Sequence, residues 1–138
     1  MTLPMILAPL FVLVLMTFVI GTILAAMRVP PLTRGEVRPE TVSLRQPNWP
    51  PRALQVGYSF QNQFEMPVLF YILIALALPL RHADLVIVAL SWVFVVTRFV
   101  HAGIFVTSND LNYRSLAWFA GVLVVFAMWV YFALKILL

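Results

Sequence analysis

Two ionisable side chains lie inside apolar stretches that are long enough to cross a lipid bilayer. Glu65 is eleven residues past Leu54, where the second such stretch begins, and Arg98 is nine residues before Thr107, where the third ends. At a rise of about 1.5 Å per residue, both are expected at about 14 to 16 Å along their helices. Placing an ionisable side chain in hydrocarbon costs about 2.5 kcal/mol or more of free energy. Such side chains are therefore expected only where they are paired with another group or have a function. Their equal depth predicts that Glu65 and Arg98 are partners.

Polar side chains accompany Glu65 along the second stretch. Residues at positions i, i+3, i+4 and i+7 are Tyr58, Gln61, Asn62 and Glu65. On a helix this spacing places them on one face, so the sequence predicts a polar stripe. Pro67 follows two residues later, and it has two interpretations: a kink that frees a backbone carbonyl beside the stripe, or a proline that the membrane helix tolerates.

The third stretch adds His101, which shares a helical face with Arg98 and Phe105. One interpretation is a structural ion pair of Glu65 and Arg98, whose remaining donors and acceptors are satisfied by Asn62 and His101. The other interpretation makes the same groups the floor of a polar ligand site that opens toward the cytoplasm. The residues alone leave both open.

Arg114 stands sixteen residues after Arg98, at the boundary between the third and fourth stretches. A boundary arginine is usually an anchor that reaches the lipid headgroups. Alternatively, its guanidinium faces a bound anion or stabilises developing negative charge. His82 belongs at the opposite membrane surface from His101, which argues against haem held by two histidines, and we predict no metal site.

The composition excludes several classes of protein. Of 138 residues, 63% are apolar and 10% are charged, whereas soluble domains are about 45 to 50% apolar and about 25% charged. Disordered chains require the opposite balance. Because there is no cysteine, disulfides, thiolate nucleophiles and cysteine-held metals are excluded. The net charge of +4 is expected to meet anionic lipid headgroups rather than nucleic acid.

Four apolar stretches are each about 20 residues or longer, which is the length a membrane-spanning helix needs. They cover about residues 3–27, 54–80, 85–107 and 115–136, and residues 28–53 form a proline-rich polar loop. The other two connections are short, so consecutive helices are antiparallel neighbours. The sequence therefore predicts one all-α domain, residues 1–138, folded as an up-down bundle of four transmembrane helices.

The distribution of basic residues predicts the orientation, because lysine and arginine resist translocation across the membrane. Six arginines fall on the side of the long loop and two basic residues on the other: Arg28, Arg34, Arg38, Arg45, Arg52 and Arg114 against Arg81 and Lys135. The loop is therefore expected in the cytoplasm and both termini outside it. Eight arginines to one lysine fits a bacterial inner membrane.

These motifs together resemble the MAPEG family, the membrane-associated proteins in eicosanoid and glutathione metabolism. The resemblance rests on Asn62-x-x-Glu65-x-Pro67, on Arg98-x-x-His101 and on an arginine sixteen residues after the first of these, and it covers nearly the whole chain. It implies a homotrimer that binds glutathione between subunits. The resemblance gives Arg114 the role of stabilising the glutathione thiolate and makes Asn62, Glu65, Arg98 and His101 the binding residues.

The chain departs from the family pattern at several polar positions. Tyr58 stands where glutathione-using members have arginine, Gln61 replaces a basic residue or histidine, and Phe105 and Trp118 replace tyrosines. Arg45 or Arg52, from the loop or a neighbouring subunit, are candidates to supply the missing charge.

Three functions remain open at this point. The first is a weak or altered glutathione transferase acting on a hydrophobic electrophile. The second is a non-enzymatic membrane protein whose polar stripe assembles the trimer or holds a lipid. The third is a small proton-coupled transporter, which the predicted pairing of Glu65 with Arg98 argues against because a paired carboxylate does not exchange protons freely.

Overall fold

The computed structural model describes residues 1–46 and 48–138, and the regular structure within them is entirely helical. Six helices follow one another: α1 (Leu3–Thr33), α2 (Pro39–Ser43), α3 (Pro51–Asn62), α4 (Met66–Ala77), α5 (Leu85–Val106) and α6 (Leu111–Leu137). Helices α3 and α4 together form one membrane span, so four spans are long and apolar enough to cross a bilayer. This confirms the predicted all-α, four-span membrane fold.

The spans pack as a bundle in which α5 lies along α6, α1 contacts α3 and α5, and α4 contacts α6. Large side chains fill its centre, including Phe70 and Phe94, whose ring centroids are 5.2 Å apart. Many large apolar side chains point outward instead; Phe18, for example, is 71% exposed. An exterior of this kind is stable in hydrocarbon and not in water, which supports a bilayer environment.

Close approach of the helices depends on small residues. A Cβ atom added to Gly121 would lie 3.1 Å from Thr97 Oγ1 of α5, and one added to Gly21 would lie 2.9 Å from the Phe60 ring of α3. Both glycines belong to small-xxx-small spacings in the sequence, with Ala25 and Ala117. In this structure the two glycines allow helices of the same chain to pack closely against each other.

The first span is longer than predicted. Helix α1 continues through Arg28, Pro30 and Pro31 to Thr33, six residues beyond the predicted end. The helix stops at Gly35, whose φ of 72° is left-handed, and Glu36 N–H donates back to the Pro31 carbonyl at 2.9 Å. Since glycine adopts this conformation without strain, the sequence signal that ends the helix is Gly35 rather than the prolines.

The second span is interrupted rather than merely kinked. The N–H groups of Gln63 and Phe64 donate to the carbonyls of Phe60 and Gln61, which makes two tight turns of the i→i+3 type. Glu65 follows as the N-cap residue of α4, with φ −98° and ψ −104°. Pro67 accounts for the break, because its ring would clash with the carbonyl of Gln63 in a continuous helix. The interruption places Glu65 at a helix start, where its side chain makes no capping hydrogen bond.

Candidate functional site

A cavity of about 540 Å³ opens where α3, the α3–α4 break, α5 and the start of α6 meet. Its volume lies within the range of small-molecule sites, about 300 to 1,000 Å³. Four of the five residues predicted for the site line it, namely Asn62, Glu65, His101 and Arg114. Its other lining residues are Tyr58, Gln61, Phe105, Asn109, Ser115, Trp118 and Phe119.

The α3–α4 break supplies the acidic and amide groups of the cavity. Asn62 ends α3, and its Nδ2 donates to the Tyr58 carbonyl at 3.2 Å, which leaves the carboxamide oxygen for a ligand. Glu65 is exposed at the start of α4. A carboxylate here can accept hydrogen bonds from a ligand ammonium or amide.

His101 is held in one protonation state by its neighbour on α5. Arg98 Nη2 lies 2.9 Å from His101 Nδ1, and both side chains are buried. A guanidinium can only donate, so Nδ1 must be the acceptor and the ring proton of the imidazole lies on Nε2. The imidazole is therefore a neutral hydrogen-bond donor at the cavity wall, and its ring edge rests on Phe105 with centroids 5.7 Å apart.

Arg114 lies in the first turn of α6 and is oriented by two contacts. Its Nη1 donates to Asn109 Oδ1, and its guanidinium carbon is 4.3 Å from the Phe105 ring centroid. The turn is itself fixed, because Asp110 Oδ1 accepts from the N–H groups of Asn112 and Tyr113 at 3.0 and 3.1 Å. Arg114 thus opens the fourth span and faces the cavity, so it is placed to meet an anion.

The predicted contact between Glu65 and Arg98 is wrong for this protomer. Among residues 1–46 and 48–138, the ion pairs within 4.0 Å are Arg34–Glu36 and Asp84–Lys135. The helix break leaves Glu65 exposed, while Arg98 is fully buried outside the cavity lining and bonds to His101. Equal depth along the helices leaves Glu65 near enough to attract Arg98 electrostatically but does not bring the two groups into contact, because depth says nothing about the direction in which each side chain points.

Arg98 also retains unused donors. Its Nε and Nη1 atoms are buried and have no hydrogen-bond partner among the described residues. A buried donor without a partner costs roughly 1 to 3 kcal/mol. Arg98 lies outside the cavity lining and contacts His101, which belongs to that lining.

Sequence reasoning missed Asn109, Ser115 and Phe119 as lining residues. Asn109 has a left-handed φ of 53°, and this single residue reverses the chain between α5 and α6 so that its side chain reaches Arg114. Asparagine tolerates this conformation better than most residues, and its place between two apolar stretches was the available signal. Gln55 was also missed; its Nε2 donates to the Phe105 carbonyl at 2.5 Å and ties α3 to the end of α5.

The loop arginines do not replace the missing charge within this protomer. Arg52 donates from Nη1 to the Thr107 carbonyl at 3.3 Å, and Arg45 lines a different cavity. The part of the chain that the structure describes has no group of three or more histidines or acidic residues that could hold a metal ion.

A known protein family matches this chain over most of its length. The model of the MAPEG family matches residues 6–134, nearly the whole chain. The chain belongs to the MAPEG family. No curated protein and no solved structure matches it significantly. The MAPEG assignment confirms the resemblance that the motifs of the second and third membrane spans indicate.

Within this MAPEG protein, the departures from the family pattern gather in one place. Tyr58, Gln61, Phe105 and Trp118 all line the same cavity as Arg114. Phe105 has no hydroxyl and presents its ring face to the guanidinium instead. The lining of the cavity, among the described residues, thus contains one guanidinium, that of Arg114, and one carboxylate, that of Glu65.

Proposed function

We propose that this protein is a membrane glutathione transferase of altered or weak activity, which conjugates glutathione to a hydrophobic electrophile. The observation that carries the proposal is the convergence of Arg114, His101, Asn62 and Glu65 on one cavity, although they come from three different spans of the chain. Family membership adds support but does not by itself define chemistry.

The polar groups of the cavity can be matched to those of glutathione. Glu65 can hold the ammonium group, the Nε2 proton of His101 and the amide group of Gln61 can donate to carboxylate oxygens, and the free carboxamide oxygen of Asn62 can accept from a peptide N–H. Arg114 then remains to interact with the thiol group of glutathione. With Tyr58 in place of arginine, one charge-assisted contact worth about 1.5 to 3 kcal/mol is absent, which weakens binding roughly tenfold to a hundredfold.

Arg114 supplies the chemical step. A guanidinium beside the sulfur favours the thiolate, which is the nucleophilic form of glutathione. Phe105 and Asn109 hold the guanidinium in place, so the cation need not reorganise as the thiolate forms. The thiol proton is released to solvent, and the thiolate sulfur then forms a bond to an electrophilic carbon, whose leaving group departs with the bonding electron pair.

The second substrate is proposed to arrive through the lipid. Phe119 is 59% exposed on α6 and also lines the cavity, as does the half-buried Trp118. These side chains form an apolar wall between the polar groups and the lipid-facing surface. A hydrophobic molecule dissolved in the bilayer is therefore concentrated on the side where Arg114 lies.

We propose further that three copies assemble in a bacterial inner membrane, with the long loop in the cytoplasm and both termini outside. The family resemblance supports the trimer, and the excess of arginine around the loop supports the orientation. Native mass spectrometry of the detergent-solubilised protein tests the first statement, and labelling of single cysteines introduced at residues 2 and 36 tests the second.

The central experiment measures conjugation of glutathione to 1-chloro-2,4-dinitrobenzene by the purified full chain in detergent. The wild-type protein should catalyse this conjugation. Arg114→Ala should lose at least 90% of kcat/KM, because the loss of about 1.4 kcal/mol of thiolate stabilisation corresponds to a tenfold lower kcat/KM. Arg34→Ala is the matched control, since Arg34 is exposed and pairs with Glu36 outside the cavity. Absence of turnover together with absence of glutathione-dependent thermal stabilisation would refute the proposal.

The loss of polar groups at Tyr58 and Phe105 favours a second candidate, a non-enzymatic membrane protein whose cavity groups are structural or bind lipid. Under that hypothesis Glu65→Gln lowers the thermal stability or the assembly of the protein and there is no turnover to lose. Under the transferase hypothesis Glu65→Gln raises the KM for glutathione while the melting temperature changes little, because Glu65 is exposed and caps nothing.

A further inference from the structure

A second polar cavity, of about 380 Å³, lies on the loop side of the bundle, between the end of α1, α3 and the loop segment after α2. Arg28 of α1 and Arg45 of the loop both line it, together with Gln46 and Trp49. The cavity shares Tyr58 and Gln61 with the first one, and its remaining lining residues are Leu24, Val42, Leu54, Gly57 and Phe60. It contains two cations and no acidic residue.

The Arg28 guanidinium is held between two surfaces. Its central carbon is 4.8 Å from the centroid of the Trp49 ring. On the other side, a Cβ atom added to Gly57 would lie only 2.7 Å from Arg28 Nη2. The guanidinium therefore rests against the backbone of α3 because residue 57 has no side chain. Such an arrangement fixes the direction of the donors before any ligand binds.

Those donors have no anionic partner among residues 1–46 and 48–138. Arg28 Nε is buried without a hydrogen bond, and the ion pairs within 4.0 Å do not include Arg28. The loop brings the second cation by a defined turn: Arg45 has a left-handed φ of 56°, and its N–H donates to the Val42 carbonyl at 2.9 Å. Two arginines facing one cavity repel each other unless an anion lies between them.

We propose that this cavity binds a phosphate group, carried either by an anionic lipid headgroup or by a soluble phosphate. The planar guanidinium of arginine forms two parallel hydrogen bonds with phosphate oxygens. A phosphate group has enough oxygens to bond two arginines at once, whereas a single carboxylate does not need two. The polar loop meets the span at this level, where headgroups lie, and Leu24 and Phe60 offer an apolar side to the cavity. The site is separate from Arg114 and does not depend on the proposed transferase activity.

Isothermal titration of the full chain in neutral detergent tests the proposal with two probes, dihexanoyl phosphatidylglycerol and inorganic phosphate. Wild type should bind at least one of them, and Arg28→Gln should weaken that binding about tenfold or more. Arg45→Gln should also weaken it, by a smaller factor because Arg45 is exposed. Binding of phosphatidylglycerol alone identifies a headgroup site, and binding of inorganic phosphate with the same dependence on Arg28 identifies a soluble ligand.

Gly57→Ala distinguishes the effect of a fixed Arg28 position on phosphate binding from the effect of the net charge of the protein. The added methyl group displaces the tip of the flexible Arg28 side chain and leaves every charge in place, so the fold should survive while phosphate binding weakens severalfold. Arg34→Gln removes one positive charge just past the end of α1 but outside the cavity, so it should change binding by less than twofold. The proposal is overturned if neither probe binds, if Arg34→Gln weakens binding as much as Arg28→Gln does, or if Gly57→Ala binds like wild type.

Discussion

Arg98 Nη2 donates a hydrogen bond to His101 Nδ1 at 2.9 Å, one turn farther along α5 and within the buried part of the bundle. This bond uses the arginine to fix the tautomer of a histidine that lines the candidate site. Among the described residues, Arg98 and Glu65 form no ion pair within 4.0 Å. Four predictions test this arrangement and its surroundings.

Replacing Arg98 by Met should not destabilise the protein strongly. The change removes a buried cation with two unpartnered nitrogen atoms, and an apolar chain of similar length refills the space. Replacing a buried ion pair by apolar groups is often neutral or stabilising by about 1 to 4 kcal/mol, and for Arg98 the loss of the bond to the buried His101 Nδ1 offsets part of such a gain by about 1 to 3 kcal/mol. Had Arg98 neutralised a buried Glu65, its loss would instead cost about 3 to 5 kcal/mol. Denaturant unfolding in detergent distinguishes these results, and a large drop in stability contradicts the geometry described here.

Replacing His101 should affect glutathione binding through the proton on Nε2. His101→Phe removes that donor and should raise the KM for glutathione about fivefold to tenfold, corresponding to a neutral hydrogen bond of about 1 to 1.5 kcal/mol. His101→Gln retains a side-chain donor and should recover part of the loss. Steady-state kinetics with varied glutathione measure both variants, and equal KM values for all three proteins would show that the imidazole does not touch glutathione.

Restoring a cation at position 58 should strengthen glutathione binding. Tyr58 is 52% exposed and lines the cavity, so an arginine fits there without repacking the core. Tyr58→Arg should lower the dissociation constant roughly tenfold to a hundredfold, which is the value of one charge-assisted contact. Tyr58→Gln serves as the uncharged control in a thermal-shift titration. If both variants bind like wild type, the missing arginine does not limit affinity.

The Asp84 cluster at the opposite end of the bundle predicts a pH dependence of stability. Burial alone would raise the pKa of the Asp84 carboxyl, but hydrogen bonds from Lys135, Tyr131 and the Ile87 N–H, with the attraction of Lys135, lower this pKa to about 2. Because the folded pKa lies below the ordinary value of 3.8, the stabilisation is complete above about pH 4 and is lost as pH falls toward 2. Given the partial exposure of Asp84, it amounts to about 1 kcal/mol.

Asp84→Asn should therefore lower the melting temperature at pH 7 and reduce the difference in stability between pH 5 and pH 2.5. Calorimetry of wild type and variant at both values measures the effect. Asp110→Asn is the control, because Asp110 caps α6 without a lysine partner. An unchanged pH dependence in Asp84→Asn would assign the acid sensitivity to other carboxylates.

Much of the candidate site could be predicted because membrane sequences restrict where polar groups occur. The i, i+3, i+4, i+7 spacing placed Asn62 and Glu65 on one face, and both line the cavity with His101 and Arg114. The tautomer of His101 could not be predicted, since it depends on which way the Arg98 side chain turns. The role of Gly57 could not be predicted either, because it arises from the approach of a side chain on another helix.

The sequence alone determined the four spans, the membrane environment and the set of candidate residues, because hydrocarbon tolerates so few polar groups that composition and periodicity reveal them. Only the tertiary structure decided which of those residues meet. Pro67 breaks the second span and leaves Glu65 exposed, and the close packing at Gly121 buries Arg98 beneath α6, away from the cavity. Depth along a helix follows from counting residues, whereas the direction of a side chain depends on contacts between helices that are distant in sequence.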